Sequence, residues 1–421
     1  MNPELDNKTP SVADLDQRVV LFAPCKGIDI GFKENLRPLF CQDYDNYELV
    51  FIVESDRDPA CPIILQLIAE YPHVNSRFLV AGQANNTGQK VHNLRIATRQ
   101  LAPEVKILAF VDSDARPHPA WLGQLVQRLS HPGVGIVTGY RWFVPERPTL
   151  ANLLLHSINA TAASLYSPKG LNPVWGGSWA ISRERFDGLE LREVWDGMLT
   201  DDLVATNLIR QANLKVEFEP TCMLASPLDF SFNQMFNFLR RQYLIGRHYM
   251  PRWWALTLLA TTLMILGFWG SLTALAAGLI WQIPGTWLPA VCCMALYLWG
   301  IVRASIRCDL ARQYLPQQRH DLIGAMWFDC LATPLAALVN WAAILSTMGA
   351  RHLVWRGITY RLLAEGKTRI IARRDEIKPV SSHWNEQPGI SADSETLPLD
   401  GLFTSQQTAA PHSYQEPFRA A

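Results

Sequence analysis

No net charge, no paired CxxC, no GxGxxG and no Walker-type GxxxxGK[ST] occur in this sequence. Each absence removes a class. Lysine plus arginine and aspartate plus glutamate both number 38, so there is no basic footprint and no nucleic acid partner is expected. The lack of GxGxxG after the first apolar run counts against a dinucleotide oxidoreductase. Without a Walker loop, any phosphate must be held by metal and side chains. The eight cysteines, at 25, 41, 61, 222, 292, 293, 308 and 330, have no zinc spacing and read as small apolar residues in a reducing compartment. The first eighteen residues are polar with no apolar h-region, so neither a signal peptide nor an N-terminal anchor is expected. No obligate protein partner is evident either.

What is present centres on Lys106 to Pro117 (KILAFVDSDARP). An apolar, β-compatible run ends in two carboxylates one residue apart, then a proline that stops the strand. An open α/β sheet presents acids to a crevice in this way. Paired carboxylates repel unless a cation sits between them, and oxygen ligands at this spacing suit Mg²⁺ or Mn²⁺ shared with a substrate diphosphate. The competing reading of Asp112 and Asp114 is a solvated turn, since the same residues are good turn chemistry.

At 421 residues the chain suggests two units. Residues 1–17 read as a flexible arm. From 18 to 230, strands (18–23, 47–53, 76–81, 106–111, 134–143, 179–182, 215–219) alternate with helices of about ten residues. That calls for βαβ units and a mostly parallel, Rossmann-like sheet. The loop Asn172 to Trp179 contains Gly176 and Gly177, where backbone can approach a ligand; a tight turn is the plainer alternative. Asp201 and Asp202 open the next helix, where Thr200 or Asp201 can simply be a cap.

Beyond 230 the character changes. Phe232, Met235, Phe236, Leu239, Tyr243 and Leu244 share one helical face, so 231–253 is expected to be an amphipathic helix in the membrane interface. Trp254 to Ile280 is uncharged and long enough to span a bilayer, and Trp287 to Ala304 is a second span. A third apolar stretch, 322–350, is interrupted by Asp329, Pro334 and Asn340. Arg303, Arg307, Arg312 and Arg319 mark the preceding loop as cytosolic, and arginines and lysines in 351–374 claim the same side. Both hold if 322–350 is a re-entrant hairpin turned by Pro334. Residues 351–374 are expected to be a basic interfacial segment and 375–421 a disordered tail.

These motifs, taken in order, resemble the ceramide glucosyltransferases among the family 2-type membrane glycosyltransferases. The likeness is carried by Pro24 to Asp29 (PCKGID), Asp43-Tyr44, Tyr47-Glu48, Asp58-Pro59-Ala60, Lys90 to Leu94 (KVHNL), Asp112-Ser113, Asp201-Asp202, and Trp355-Arg356 with Tyr360-Arg361-Leu362. The resemblance implies a GT-A fold and inverting transfer of a sugar, UDP-glucose being the donor, to the hydroxyl of a membrane lipid such as ceramide or diacylglycerol. It implies that Lys26, Glu54, Asp56, Asp58, Lys90, Asn93 and Arg241 attend the nucleotide sugar. It implies that Asp112 and Asp114 hold a divalent cation and that Asp202 is the general base. Gly176, Gly177, Asp201, Gln242, Trp355 and Arg356 would form the acceptor side and the supporting shell. The (Gln/Arg)-x-x-Arg-Trp signature is degraded here to Phe238-Leu239-Arg240-Arg241-Gln242. The implied location is an integral membrane protein with a cytosolic catalytic domain, in a bacterial inner membrane rather than a eukaryotic endomembrane. A processive cellulose- or chitin-type synthase and a catalytically dead scaffold are the rival readings.

Overall fold

The computed structural model describes residues 17–168 and 170–374. The expected tail, and the expected arm apart from Gln17, lie outside the described residues. The alternation begins with β1 (Val19–Pro24), α1 (Phe32–Leu36), β2 (Tyr47–Val53), α2 (Ala60–Glu70), β3 (Ser76–Val80), α3 (Gln89–Ala97), β4 (Ile107–Val111) and α4 (Trp121–Leu129). It continues through β5 (Val134–Pro145), α5 (Leu150–Ala163), β6 (Ser178–Ser182), α6 (Arg183–Gly188), α7 (Leu191–Val194), α8 (Asp202–Gln211) and β7 (Lys215–Leu228). The last strand is far longer than the 215–219 expected, because Met223 to Leu228 pair onward with β5.

The seven strands form one sheet in the order β3-β2-β1-β4-β6-β5-β7. All neighbours run parallel except β6, which is antiparallel to β4 and β5. Every residue of β1 and β4 is buried, as a strand covered on both faces requires. The strand period of two separates the layers: Val19, Leu21 and Ala23 enter one core, Val20 and Phe22 the other. The chain reverses its order of strand addition between β1 and β4, and a crevice opens at their carboxyl ends. This is the GT-A arrangement.

After β7 come α9 (Phe232–Tyr249), α10 (Pro251–Ile280), α11 (Trp287–Tyr314), α12 (Ile323–Leu331) and α13 (Thr333–Leu345). Ser231 and Gln234 close a reciprocal capping box on α9. The face of α9 assigned to lipid is instead turned into protein: Met235, Leu239 and Leu244 are buried, and of the six residues only Phe232 is exposed. Met235 and Leu239, with Phe236 and Tyr243 partly buried, pack in one cluster with Phe143, Leu154 and Leu155, whereas Leu244 joins the core that holds Val20 and Phe22. Helices α10 and α11 are long and apolar enough to cross a membrane, and in the most apolar stretch of each almost no residue is buried in the protein. Helix α11 runs well past Ala304, so Arg303, Arg307 and Arg312 lie on a helix and not in a loop. Arg307 is buried and paired with Asp329 (2.7 and 2.8 Å), which neutralises the acid that interrupts the third apolar stretch. Helices α12 and α13 bend by 82° about Ala332, beside Pro334.

Residues 351–374, expected as a basic interfacial segment, are folded onto the α/β domain. They form an antiparallel sheet of β8 (His352–Trp355), β9 (Ile358–Leu362) and β10 (Thr368–Arg373). Leu353, Ile358, Tyr360 and Leu362 are buried in the same core as β1 and α8. Ion pairs of Arg356 with Asp29 and Arg373 with Glu54 fasten this sheet to the α/β domain.

Candidate active site

The crevice is a cavity of about 600 Å³. Strand β4 delivers Asp112 and Asp114 to it, and Lys90, in the first turn of α3, reaches across from the neighbouring layer. Its Nζ lies 2.7 Å from Asp112 Oδ1 and 3.2 Å from Asp201 Oδ1, and donates to the Gly176 carbonyl at 2.9 Å. The Gly176 N–H donates to Asp202 Oδ2 (2.9 Å), and Leu203 N–H donates to Asp202 Oδ1 (2.7 Å). A Cβ at Gly176 would stand 2.7 Å from Lys90 Nζ and 3.2 Å from a carboxylate oxygen of both Asp201 and Asp202. Glycine there is a packing requirement and not a turn preference.

Asp201 decides between cap and chemistry. It occupies the N-cap position of α8 but makes no capping hydrogen bond, and its Oδ2 is buried without a partner. Burial, opposed by Lys90 and reinforced by Asp202, pushes its carboxyl up to about 7. Burial likewise raises Asp202 and Asp114. For Asp112, burial acts upward but Lys90 outweighs it and holds the group below the ordinary carboxylate value. Burial also opposes the charge of Lys90, yet Asp112, Asp201 and Asp202 raise it above an ordinary lysine.

Three arginines face the acids. Arg141 pairs with Asp114 (3.2 Å) and Arg356 with Asp29 (2.5 Å). Arg241 makes no ion pair among the described residues and lies over the Phe238 and Trp355 rings. Burial, Arg356 and Arg141 press its guanidinium down to about 10. Lys26, Lys90, Arg141, Arg241 and Arg356 balance five aspartates on the cavity lining, and guanidinium forks beside paired carboxylates suit a polyanion carrying its own counter-ion.

Of the residues singled out in the sequence, Lys26, Lys90, Asn93, Asp112, Asp114, Gly176, Asp201, Asp202, Arg241, Gln242, Trp355 and Arg356 line this one cavity. Glu54, Asp56, Asp58 and Gly177 do not. Asp58 Oδ1 accepts from the N–H groups of Gly27 and Ala60, both at 2.9 Å. Glu54 holds Lys26 and Arg373, each at 2.5 Å. These two acids brace the wall behind the cleft, while Asp56 accepts from its neighbour Ser55 and is exposed. Sequence reasoning missed Arg141, Gln89 and Tyr140, all lining residues. The available signal for Arg141 was a single charge in the otherwise uncharged strand β5.

No group of three or more histidine, cysteine or carboxylate side chains clusters for a metal among the described residues. Two carboxylates nonetheless fit a hard cation that draws its other oxygens from phosphate and water. The buried, unpartnered Oδ1 of Asp114 is the atom such a cation would satisfy.

The profile described as Glycosyl transferase family 21 matches residues 4–368. The chain belongs to glycosyl transferase family 21. Among its curated relatives, the ceramide glucosyltransferase of Komagataella phaffii is 34% identical over 111 residues, 25% of this chain and 21% of the relative. That of Candida albicans is 33% identical over 87 residues, 20% of this chain and 15% of the relative. Ceramide glucosyltransferase 1 of Caenorhabditis elegans is 27% identical over 121 residues, 28% of this chain and 26% of the relative. The chain thus aligns with only about a fifth of the length of the first of these family 21 relatives. They come from yeasts and a nematode, so a bacterial inner membrane gains no support. A mannosyltransferase from Pyrobaculum calidifontis, solved with GDP-Man and Mn²⁺, overlays with a TM-score of 0.43 at 18% identity, over 79% of this chain and 87% of that one. This family 21 member carries two helices long and apolar enough to cross a membrane.

Proposed function

We propose that the protein transfers a hexose, glucose from UDP-glucose, to the hydroxyl of a membrane lipid of the ceramide or diacylglycerol kind, with inversion at the anomeric carbon. One observation carries the reading. The cavity that gathers Asp112, Asp114, Lys90 and Asp202 is also lined by Leu155, Ile158, Phe230, Phe238, Leu239 and Tyr243. A polar donor end and an apolar acceptor end share one space, and the apolar wall is built by α5 and α9, the latter leading directly into α10.

Lys90, Arg241 and Arg356 bind and orient the diphosphate, and Lys26 with Asn93 lies on the nucleotide side. Asp112 and Asp114 would hold a Mg²⁺ or Mn²⁺ ion, which supplies Lewis acidity toward the leaving diphosphate. Asp202 takes the proton of the acceptor hydroxyl as its oxygen attacks the anomeric carbon from the face opposite the diphosphate. The new carbon–oxygen bond forms as the bond to the β-phosphate oxygen breaks, and the electron pair leaves with UDP. Two backbone N–H groups steady the Asp202 carboxylate, while burial raises its basicity above that of an exposed aspartate. Residues 18–230 with 351–374 are the catalytic unit on the cytosolic side, and 254–350 the membrane unit, in which α12 and α13 enter and leave on one face.

The test incubates membranes containing the protein with radiolabelled UDP-glucose, UDP-galactose, UDP-N-acetylglucosamine and GDP-mannose. Label from UDP-glucose is expected in an organic-soluble monoglycosyl lipid with the β-anomer. Label in a sedimenting polymer, or in no lipid from any donor, overturns the proposal.

A further inference from the structure

Arg141, unforeseen in the sequence, is held in an unusual way. Its guanidinium lies 5.3, 5.1 and 5.6 Å from the ring centres of Phe143, Trp175 and Phe238. Such a cradle retains a cation without consuming its N–H donors. Among the described residues its one hydrogen bond runs from Nη1 to Asp114 Oδ2, at 3.2 Å. The other oxygen of Asp114 is buried with no partner.

The pair is therefore half made. A permanent buried pair looks like Arg307 and Asp329, where two guanidinium nitrogens meet both carboxylate oxygens at 2.7 and 2.8 Å. Arg141 and Asp114 leave one oxygen and several donors unused, on the wall of the same cavity that Arg241 and Arg356 line. A planar fork with spare donors beside a polyanion site matches phosphate geometry.

We propose that Arg141 is an exchangeable counter-ion. It neutralises Asp114 while no divalent cation is bound, and it turns to a phosphate oxygen of the donor when Asp114 is taken over by that cation. This rests on the reading of Asp112 and Asp114 as cation ligands. The aromatic cradle keeps the guanidinium charged and close, so the exchange is a short swing of one side chain.

The test compares the full-length detergent-solubilised protein with Arg141→Met and Arg141→Lys. Two readouts are taken: Mn²⁺ binding without nucleotide, by the EPR signal of free Mn²⁺, and UDP binding at saturating Mn²⁺. Arg141→Met removes a competitor for Asp114 and a ligand for phosphate, so Mn²⁺ alone should bind about tenfold tighter and UDP about tenfold weaker. Arg141→Lys keeps the competing charge but loses the fork, so Mn²⁺ binding should stay near wild type while UDP binding weakens. A merely structural arginine would weaken both in Arg141→Met, and that result, or unchanged Mn²⁺ affinity in a protein whose Asp114→Asn variant loses Mn²⁺, overturns the exchange alone. If the wild-type protein binds UDP but no Mn²⁺, the cation reading falls and takes the exchange with it.

Discussion

The membrane half and the cleft both bury charge, and they treat it in opposite ways. In the membrane half, Arg307 and Asp329 are 5% and 2% exposed and saturate one another. Asn340, the other polar interruption of that stretch, is bonded by the Tyr243 hydroxyl. In the cleft, oxygens of Asp114 and Asp201 are buried without partners among the described residues, where Arg241 likewise has no carboxylate. Unsatisfied buried polar atoms are costly, so a fold retains them where a ligand completes them. Buried charge as such therefore says little; the state of its hydrogen bonding separates a staple from a site.

The comparison can be broken at several points. The largest effect is expected at Asp202→Asn, which should lower transfer by about 10³- to 10⁴-fold while UDP binding holds. Near-normal turnover in that variant would move the base elsewhere. In the membrane half, Asp329→Ala should destabilise the fold by about 3–5 kcal/mol by stranding Arg307. The paired Arg307→Met, Asp329→Leu change should recover most of that loss; thermal melting in detergent checks both, and a neutral single mutant would mean the pair is not sealed from water.

A smaller effect concerns pH. Asp202 must be ionised to accept a proton, and burial raises its pKa. The acid limb of kcat/KM should therefore lie above the 3.8 of an ordinary aspartate, with activity lost as pH falls through it. A limb at or below that value, read from a pH–rate profile, would contradict the assigned environment. The smallest effect is expected at Arg373→Met. Its guanidinium bonds Glu54 (2.5 Å), the Ala84 carbonyl (2.7 Å) and Gln89 Oε1 (2.8 Å). Loosening that brace should raise the donor KM by about fivefold with kcat unchanged. A change confined to kcat would assign Arg373 to the chemical step instead.

The alternation of fully apolar runs with helices was readable because a strand covered on both faces has nowhere to put a polar residue. The spans α10 and α11 were readable for the same reason. Asp112 and Asp114 stood out because two acids at the end of such a strand conflict with it. The face of α9 was misread because an amphipathic helix looks alike whether its apolar side meets lipid or Phe143 and Leu155. Residues 351–374 read as a basic interfacial segment because their charges are conspicuous, while Leu353, Tyr360 and Leu362 are too few to announce a core. Asp58 and Glu54 carry the same residue type as the cleft acids, and only their partners, Gly27 N–H and Arg373, show that they brace it.

By itself the sequence determined the Rossmann-like alternation, the membrane spans and the acids that break strand and helix patterns, all local consequences of where polar groups can be tolerated. Tertiary structure alone decided which of those acids share a cavity, that Arg141 joins them, and that residues 351–374 come back after the apolar helices to close the domain. The reason is range. Periodicity is set over a few neighbouring residues, whereas Lys90, Gly176 and Asp202 meet through contacts between elements far apart in the chain, which no local pattern encodes.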